Sequence, residues 1–346
     1  MLTTRVLIVG AGPAGSVCGY LLQKAGVDCL LIDRATFPRD KICGGGLTSK
    51  AWHLLEHLLP DFQYDFNAVH HVRLTVNERA HCEFSIDDPI RIVRRKVFDH
   101  QLLRQYQSAG GRFLQAALVT VEEQPDGTIE AVLRDGERVR CQYLIGADGS
   151  NSRVRHYLNP HTNRGILAME QYIEKSGDNS IDVGLSQTYG DGGYYFRFPN
   201  AEHDVVGYGD TATTKETFRR VMEQKGHPAG TLRGAYVYLS NDYPLHEHII
   251  LIGDAGGFAN RLTCEGLYDA FRTAQNAAAP VICGRPFRDT NAAVFQKMKN
   301  EARLTKFFFS SMGFAMVSML CRYPSLVKWI FDAKMRRETW IKKSNQ

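Results

Sequence analysis

An apolar run from Val6 to Val9 breaks into Gly10-Ala-Gly12-Pro-Ala-Gly15 and then into a helix-like stretch, Ser16 to Lys24. A second apolar run, Cys29 to Ile32, ends in Asp33, eighteen residues beyond Gly15. A buried strand, a glycine turn, a helix and a second strand closed by an acid form the dinucleotide-binding fingerprint in its required context. Gly10 permits the tight turn, and Gly12 lets backbone N–H groups approach a pyrophosphate at the helix N-terminus. Gly15 lets helix and strand pack closely. Pro13 and Ala14 complete the binding turn. Asp33, with Arg34 beside it, is placed to accept hydrogen bonds from a ribose. A glycine-rich turn without a ligand is the alternative; strand, helix and acid together favour binding.

Two later segments narrow the ligand. Tyr143-Leu-Ile-Gly-Ala-Asp-Gly-Ser150 and Ile249-Ile-Leu-Ile-Gly-Asp-Ala-Gly-Gly257 are both apolar strands ending in small-residue turns, each with one acid. The second leads into a helix expected from about Gly266 to Cys283. A simple nicotinamide dehydrogenase needs only the first motif. A chain carrying all three resembles the FAD-containing family of the aromatic-hydroxylase fold. That resemblance implies FAD as cofactor, with Gly253 and Asp254 at the flavin-side ribitol. It places Gly146 to Gly149, including Asp148, near the pyrophosphate and the pyridine-nucleotide approach. Ordinary strand-end turns are the competing explanation for Asp148 and Asp254.

Phe37-Pro-Arg-Asp-Lys-Ile-Cys-Gly-Gly-Gly-Leu47 resembles a segment that runs beside the flavin in the geranylgeranyl reductase family. Three consecutive glycines let backbone lie against a flat ring. Arg39 and Lys41 can meet phosphate or a reduced, anionic flavin, and Cys43, Gly44 and Gly45 would lie by the isoalloxazine. Arg95-Lys-Val-Phe-Asp99 matches that family's Arg-x-x-Phe-Asp, whose Arg supports FAD binding. Gly193-Tyr-Tyr-Phe-Arg-Phe-Pro199 resembles its cavity-lining strand, so Tyr194, Phe196 and Phe198 on one face are candidate substrate contacts. Gly253 to Leu267 resembles its second flavin segment. The resemblance implies cofactor contacts from Gly266 and Leu267, and substrate contacts from Arg261 and Cys264, which replace the family's Pro and Gly. Gly257, where aromatic hydroxylases commonly carry His, leans towards the reductase branch.

The resemblance implies an α/β, two-lobed fold. A discontinuous Rossmann-like FAD-binding domain is expected over 1–65, 92–155 and 246–290. An antiparallel β-sheet substrate domain is expected over 66–91 and 156–245, and a helical C-terminal region over 291–346. The expected activity is reduction of carbon–carbon double bonds in an apolar, isoprenoid-like or otherwise unsaturated substrate. Cys43 and Tyr195 are the candidate proton donors, and NAD(P)H or another external donor supplies electrons. Two alternatives stay open: an FAD monooxygenase acting on an aromatic or polyketide-like substrate, and a membrane-surface electron-transfer flavoprotein.

Charge is uneven. Lys297 to Gln346 holds eleven Lys/Arg and three Asp/Glu, a net +8 against +5 for the whole chain, so the remainder is −3. This tail also carries Phe307 to Cys321, an apolar run shorter than the roughly 20 residues of a spanning helix. Apolar helix flanked by Lys and Arg suits an anionic membrane surface; a helical cap with solvated charges is the other reading. No recognition motif accompanies the charge, so nucleic acid is not an expected partner. Eight cysteines form no CxxC pair, and the chain enters its first strand by Val6. A reducing, cytoplasmic location is therefore expected, with peripheral contact at the inner membrane face as a further reading. His53-Leu-Leu-Glu-His57 mimics a metalloprotease string. Its leucines form one apolar helix face, so no metal is expected.

Overall fold

The computed structural model describes residues 1–160, 165–189, 193–240 and 242–340. Five parallel strands form its first layer, in the order β17-β11-β2-β3-β7. They are β2 (Val6–Val9), β3 (Cys29–Asp33), β7 (Arg112–Gln115), β11 (Tyr143–Gly146) and β17 (Ile249–Leu251). Central strands buried on both faces read as continuous apolar runs, and every residue of β2 is buried. On one face lie α1 (Pro13–Lys24), α3 (Arg95–Ser108) and α6 (Leu267–Cys283), whose apolar stripes share a core with Ile8, Leu31 and Ile250. On the other lies a four-stranded sheet of β1 (Leu2–Thr3), β8 (Leu118–Glu123), β9 (Ile129–Leu133) and β10 (Arg138–Cys141), with α4 (Arg153–Leu158). Cys18, Cys29 and Cys141 are small buried core residues.

The second lobe is an eight-stranded sheet ordered β16-β12-β15-β14-β13-β5-β6-β4. It comprises β4 (Gly46–Leu47), β5 (Asn67–Val76), β6 (Ala80–Ile92), β12 (Ile166–Ile173), β13 (Ser180–Leu185), β14 (Tyr194–Pro199), β15 (Asp204–Asp210) and β16 (Arg233–Val237). Its pairs are antiparallel except β5–β13, which is parallel, so the sheet is mixed where alternation alone suggested an antiparallel one. Between those strands the chain traverses the first lobe, and only a tight hairpin would force an antiparallel return. β4 joins this sheet through β6, so the Gly44–Gly46 segment bridges the lobes. α2 (Ser49–Leu58) packs between β6 and α6, and α5 (Lys215–Gln224) covers the outer face beside β15.

α7 (Phe287–Thr290), α8 (Ala292–Phe308), α9 (Ser311–Leu320) and α10 (Pro324–Trp340) follow. Phe314, Val317 and Cys321 pack on Val76, Cys82 and Leu185, and Phe331 meets Phe84. The end of the basic tail, with Lys342 and Lys343, lies outside the described residues.

Candidate active site

The carboxyl ends of β2, β3, β11 and β17 converge, the place where open α/β sheets take ligands. Gly10 turns with φ +106°, and a Cβ there would stand 2.4 Å from the Ala147 carbonyl oxygen. Gly15 lies against the Gly10 carbonyl, which a Cβ would meet at 1.9 Å. Gly12 differs: a Cβ would find only Arg39 Nη2, at 3.3 Å. α1 starts at Pro13 with no side-chain cap and no acid in its first turn. Its N-terminal N–H groups and dipole are thus left for an outside anion, with the Arg39 guanidinium above them. Asp33 organises this cradle. Its Oδ2 accepts from Ala11 N–H and its Oδ1 from Ala35 N–H, both at 2.8 Å. Arg34 is exposed just beyond the strand end.

Asp99 ties the cradle to the glycine segment. Its fully buried carboxylate accepts from Arg95 Nε and Nη2 at 2.8 and 2.9 Å, and Arg39 Nη2 stands 3.2 Å away. Burial works against the Arg95 charge, but Asp99 overcomes it and keeps the guanidinium firmly protonated. The Cys43 thiol lies against that guanidinium and accepts from Gly45 N–H at 3.4 Å. Lys41 reaches Asp254, Nζ to Oδ2 3.9 Å, and Gly266 sits beside the same carboxylate at the start of α6. Gly253, Asp254, Gly266 and Leu267 therefore form one wall, and Arg39 to Gly45 runs opposite.

The third wall is aromatic. Strand register places Tyr194, Phe196 and Phe198 on one face of the large sheet. Phe198 packs on Gly44, where a Cβ would stand 2.5 Å from its ring. Phe196 follows at a ring spacing of 5.5 Å. Tyr194 donates to the Thr263 carbonyl at 2.5 Å and contacts Cys264. Burial pushes the Cys264 thiol up to about 12, so it is neutral.

Three expected side chains are directed elsewhere. Tyr195 is on the opposite face, because neighbours on a strand alternate. Its hydroxyl meets His227 Nε2 at 2.7 Å, beside Arg197 and Asp182 in an outer cavity of about 470 Å³. It cannot serve a substrate held against Cys43, and the proton-donor role expected of it is corrected. The Asp148 backbone borders the cradle, its Cα 2.8 Å from where a Gly10 Cβ would stand, but its carboxylate turns to α4 and accepts from Arg153 N–H at 2.6 Å. Arg261 is directed to Glu301 and Tyr238 rather than to the aromatic wall.

Sequence reading missed three groups here. Glu170, on β12, pairs in register with Gly207, which pairs with Phe196, so its side chain shares the aromatic face. It is 1% exposed and accepts from Cys43 N–H; Arg233 Nη2 stands 3.8 Å from an oxygen without a hydrogen-bond partner. Burial raises its carboxyl to about 7. β12 reads Ile-Leu-Ala-Met-Glu-Gln-Tyr-Ile, and neither alternation nor a motif marked Glu170. Arg155 donates to the Ala255 carbonyl at 2.9 Å and stacks 3.6 Å over Tyr238, bracing the Gly253–Gly256 turn. Lys50, itself buried, holds Glu265 Oε2 at 2.9 Å and locks α2 to the start of α6. Among the described residues no three His, Cys, Asp or Glu side chains are grouped to hold a metal.

A family model described as FAD binding domain matches residues 3–223. Menaquinone reductase of Mycolicibacterium smegmatis is 29% identical over 312 residues, covering 81% of this chain and 76% of that one. Chloroplastic geranylgeranyl diphosphate reductase of Nicotiana tabacum is 23% identical, covering 88% and 70%. A solved geranylgeranyl bacteriochlorophyll reductase-like protein of Thermoplasma acidophilum superposes with a TM-score of 0.78 at 21% identity, covering 94% of this chain and 92% of that one. That last likeness establishes the fold.

Proposed function

We propose, for a chain that belongs to the FAD-binding-domain family and is an FAD-dependent oxidoreductase of the geranylgeranyl reductase type, that it reduces carbon–carbon double bonds of an isoprenoid-like substrate. The observation that carries this reading is the apolar wall of Tyr194, Phe196 and Phe198 laid directly on the Gly44–Gly46 segment. The names of the menaquinone and geranylgeranyl diphosphate reductases, both isoprenoid-linked, support it.

The residues present fit the cofactor. The uncapped start of α1 and Arg39 would hold its pyrophosphate, Asp33 would meet the ribose, and Asp254 with Lys41 would take the ribitol side. Bound there, the reduced cofactor would supply the hydride chemistry that alkene reduction needs. The chain's own residues do the rest. Phe196 and Phe198 orient an apolar chain and exclude water. Tyr194, tied to Thr263, fixes the rim. Arg95 and Asp99 hold Cys43 in place, and the Cys43 thiol is the proposed proton source for the second alkene carbon. NAD(P)H or another external donor provides the electrons.

The test is an anaerobic half-reaction. FAD-loaded protein, reduced with dithionite, is mixed with polyprenyl alkenes and a menaquinone. Flavin reoxidation without oxygen, with a two-hydrogen mass gain in one compound, is the expected result. A flavin that stays reduced until air is admitted, followed by a product that gains oxygen, would replace this reading with the monooxygenase one.

A further inference from the structure

α9 has no charged residue and is apolar on both sides. One side is spent on the sheet, where Phe314, Val317 and Cys321 are buried. The other is uncovered. Met312, Met316 and Met319, one helical stripe, are 66, 38 and 55% exposed. The patch continues through Leu304 and Phe307 at the end of α8, and through Tyr323, Leu326, Trp329 and Ile330 at the start of α10. Nine of the fifteen exposed large apolar side chains among the described residues thus fall between 304 and 330. Scattered exposed apolar residues are ordinary, but nine concentrated along three consecutive helices that pack on one another mark an interaction surface.

Its charge identifies the partner. Arg303 and Lys306 directly precede Leu304 and Phe307, and Arg322 lies between Met319 and Tyr323. These three, with Lys299, are exposed and make no ion pair among the described residues. The nearby acids are already engaged: Glu301 with Asn260 and Lys297, and Asp332 with Lys328. A protein partner would have to supply both a broad apolar face and free acids. An anionic bilayer presents both, with headgroup charge above acyl chains. No helix among the described residues is long and apolar enough to cross the bilayer, so the contact is lateral.

The buried side of the same helices leads to the site. Phe308, Phe309 and Phe314 share an apolar cluster with Leu185 and Tyr194, and Tyr194 stands at the rim beside Cys264.

We propose that the outer faces of α8, α9 and α10 rest on an anionic lipid surface, and that an apolar substrate passes from that surface along Phe308 and Phe309 to Tyr194. This rests on the reading of the substrate as apolar, but the docking test needs no turnover.

The FAD-loaded full chain is sedimented with vesicles of phosphatidylcholine alone and with 30 mol% phosphatidylglycerol, as roughly the anionic content of a charged leaflet. The chain is expected in the anionic pellet, released by raised salt, and in the supernatant of the neutral vesicles. A Met312→Glu/Met316→Glu/Met319→Glu variant changes only exposed positions. It is expected to lose binding by at least roughly 100-fold, with its melting temperature and its turnover of a detergent-dispersed substrate kept. Arg303→Gln should weaken binding roughly fivefold. Failure of the wild-type chain to pellet with anionic vesicles overturns the proposal. So does a triple variant that pellets as well as wild type, or a wild-type dimer that the triple variant converts to monomer, since a second copy would then cover the face. Absence of alkene reduction in wild type that still binds vesicles would refute the substrate reading alone.

Discussion

Asp99→Asn removes one charge from the junction between the phosphate cradle and the glycine segment. The Asp99 carboxylate is 0% exposed and its main partner, Arg95, is 7% exposed at the side chain. Asn preserves shape but leaves a buried guanidinium without its anion, which costs about 3–5 kcal/mol. Unfolding entropy for a chain of this length is about 0.7 kcal/mol/K, so the apo protein should melt about 4–7 °C lower. Arg39 also loses its anchor over the start of α1. One charge-assisted contact to phosphate is worth about 1.5–3 kcal/mol, so FAD should bind roughly 10- to 150-fold more weakly. Calorimetry of the apo protein and titration of flavin fluorescence measure the two effects separately. Arg39→Ala provides the control, because Arg39 is 20% exposed and Arg95 keeps its partner. It should reproduce the loss of FAD affinity with little change in melting. An Asp99→Asn protein that melts within a degree of wild type, or binds FAD within twofold of it, would show that Asp99 does not join the two halves of the site.

Two glycines of the fingerprint should separate under mutation. Gly12→Ala should fold normally, since its backbone is extended and only Arg39 is near, yet bind FAD at least roughly tenfold more weakly. Gly10→Ala should fail to accumulate as folded protein, given φ +106° and the Ala147 carbonyl; soluble expression and calorimetry distinguish the pair. For Glu170, burial lifts the folded carboxyl from its ordinary 4.5 to about 7. The native protein therefore keeps a proton that the unfolded chain releases. Stability should fall as pH rises from about 4.5 to 7, by roughly 3 kcal/mol from this group. Urea unfolding at the two pH limits should show a smaller fall in Glu170→Gln; parallel behaviour of the two proteins would rule out the shift.

The first lobe was legible because its signals are local. Val6 to Gly15 specify strand, turn and helix start within one stretch, and a glycine with φ above zero or beneath a carbonyl leaves a mark in the sequence. Helix boundaries were off by a few residues. α1 begins at Pro13 rather than Ser16, because Pro suits the first turn of a helix that has no polar cap. The aromatic face of Tyr194, Phe196 and Phe198 followed from strand alternation, but alternation cannot say which face looks at the cofactor. Tyr195 was misjudged for that reason.

By itself, then, the sequence determined the βαβ cradle and the aromatic strand, both set by neighbours in the chain, while the cofactor class followed from three separated motifs and the family they resemble. Tertiary structure decided what depends on residues far apart. Asp99 meets Arg39 across sixty positions, and Glu170 meets Cys43 across more than a hundred. The packing of Phe198 on Gly44, residues far apart in the chain, turns one sheet face to the glycine segment. The uncovered stripe of α9 appears only once its other side is buried on β5 and β6. Such pairings carry no local periodicity, because burial and charge compensation are properties of the packed chain rather than of any segment in it.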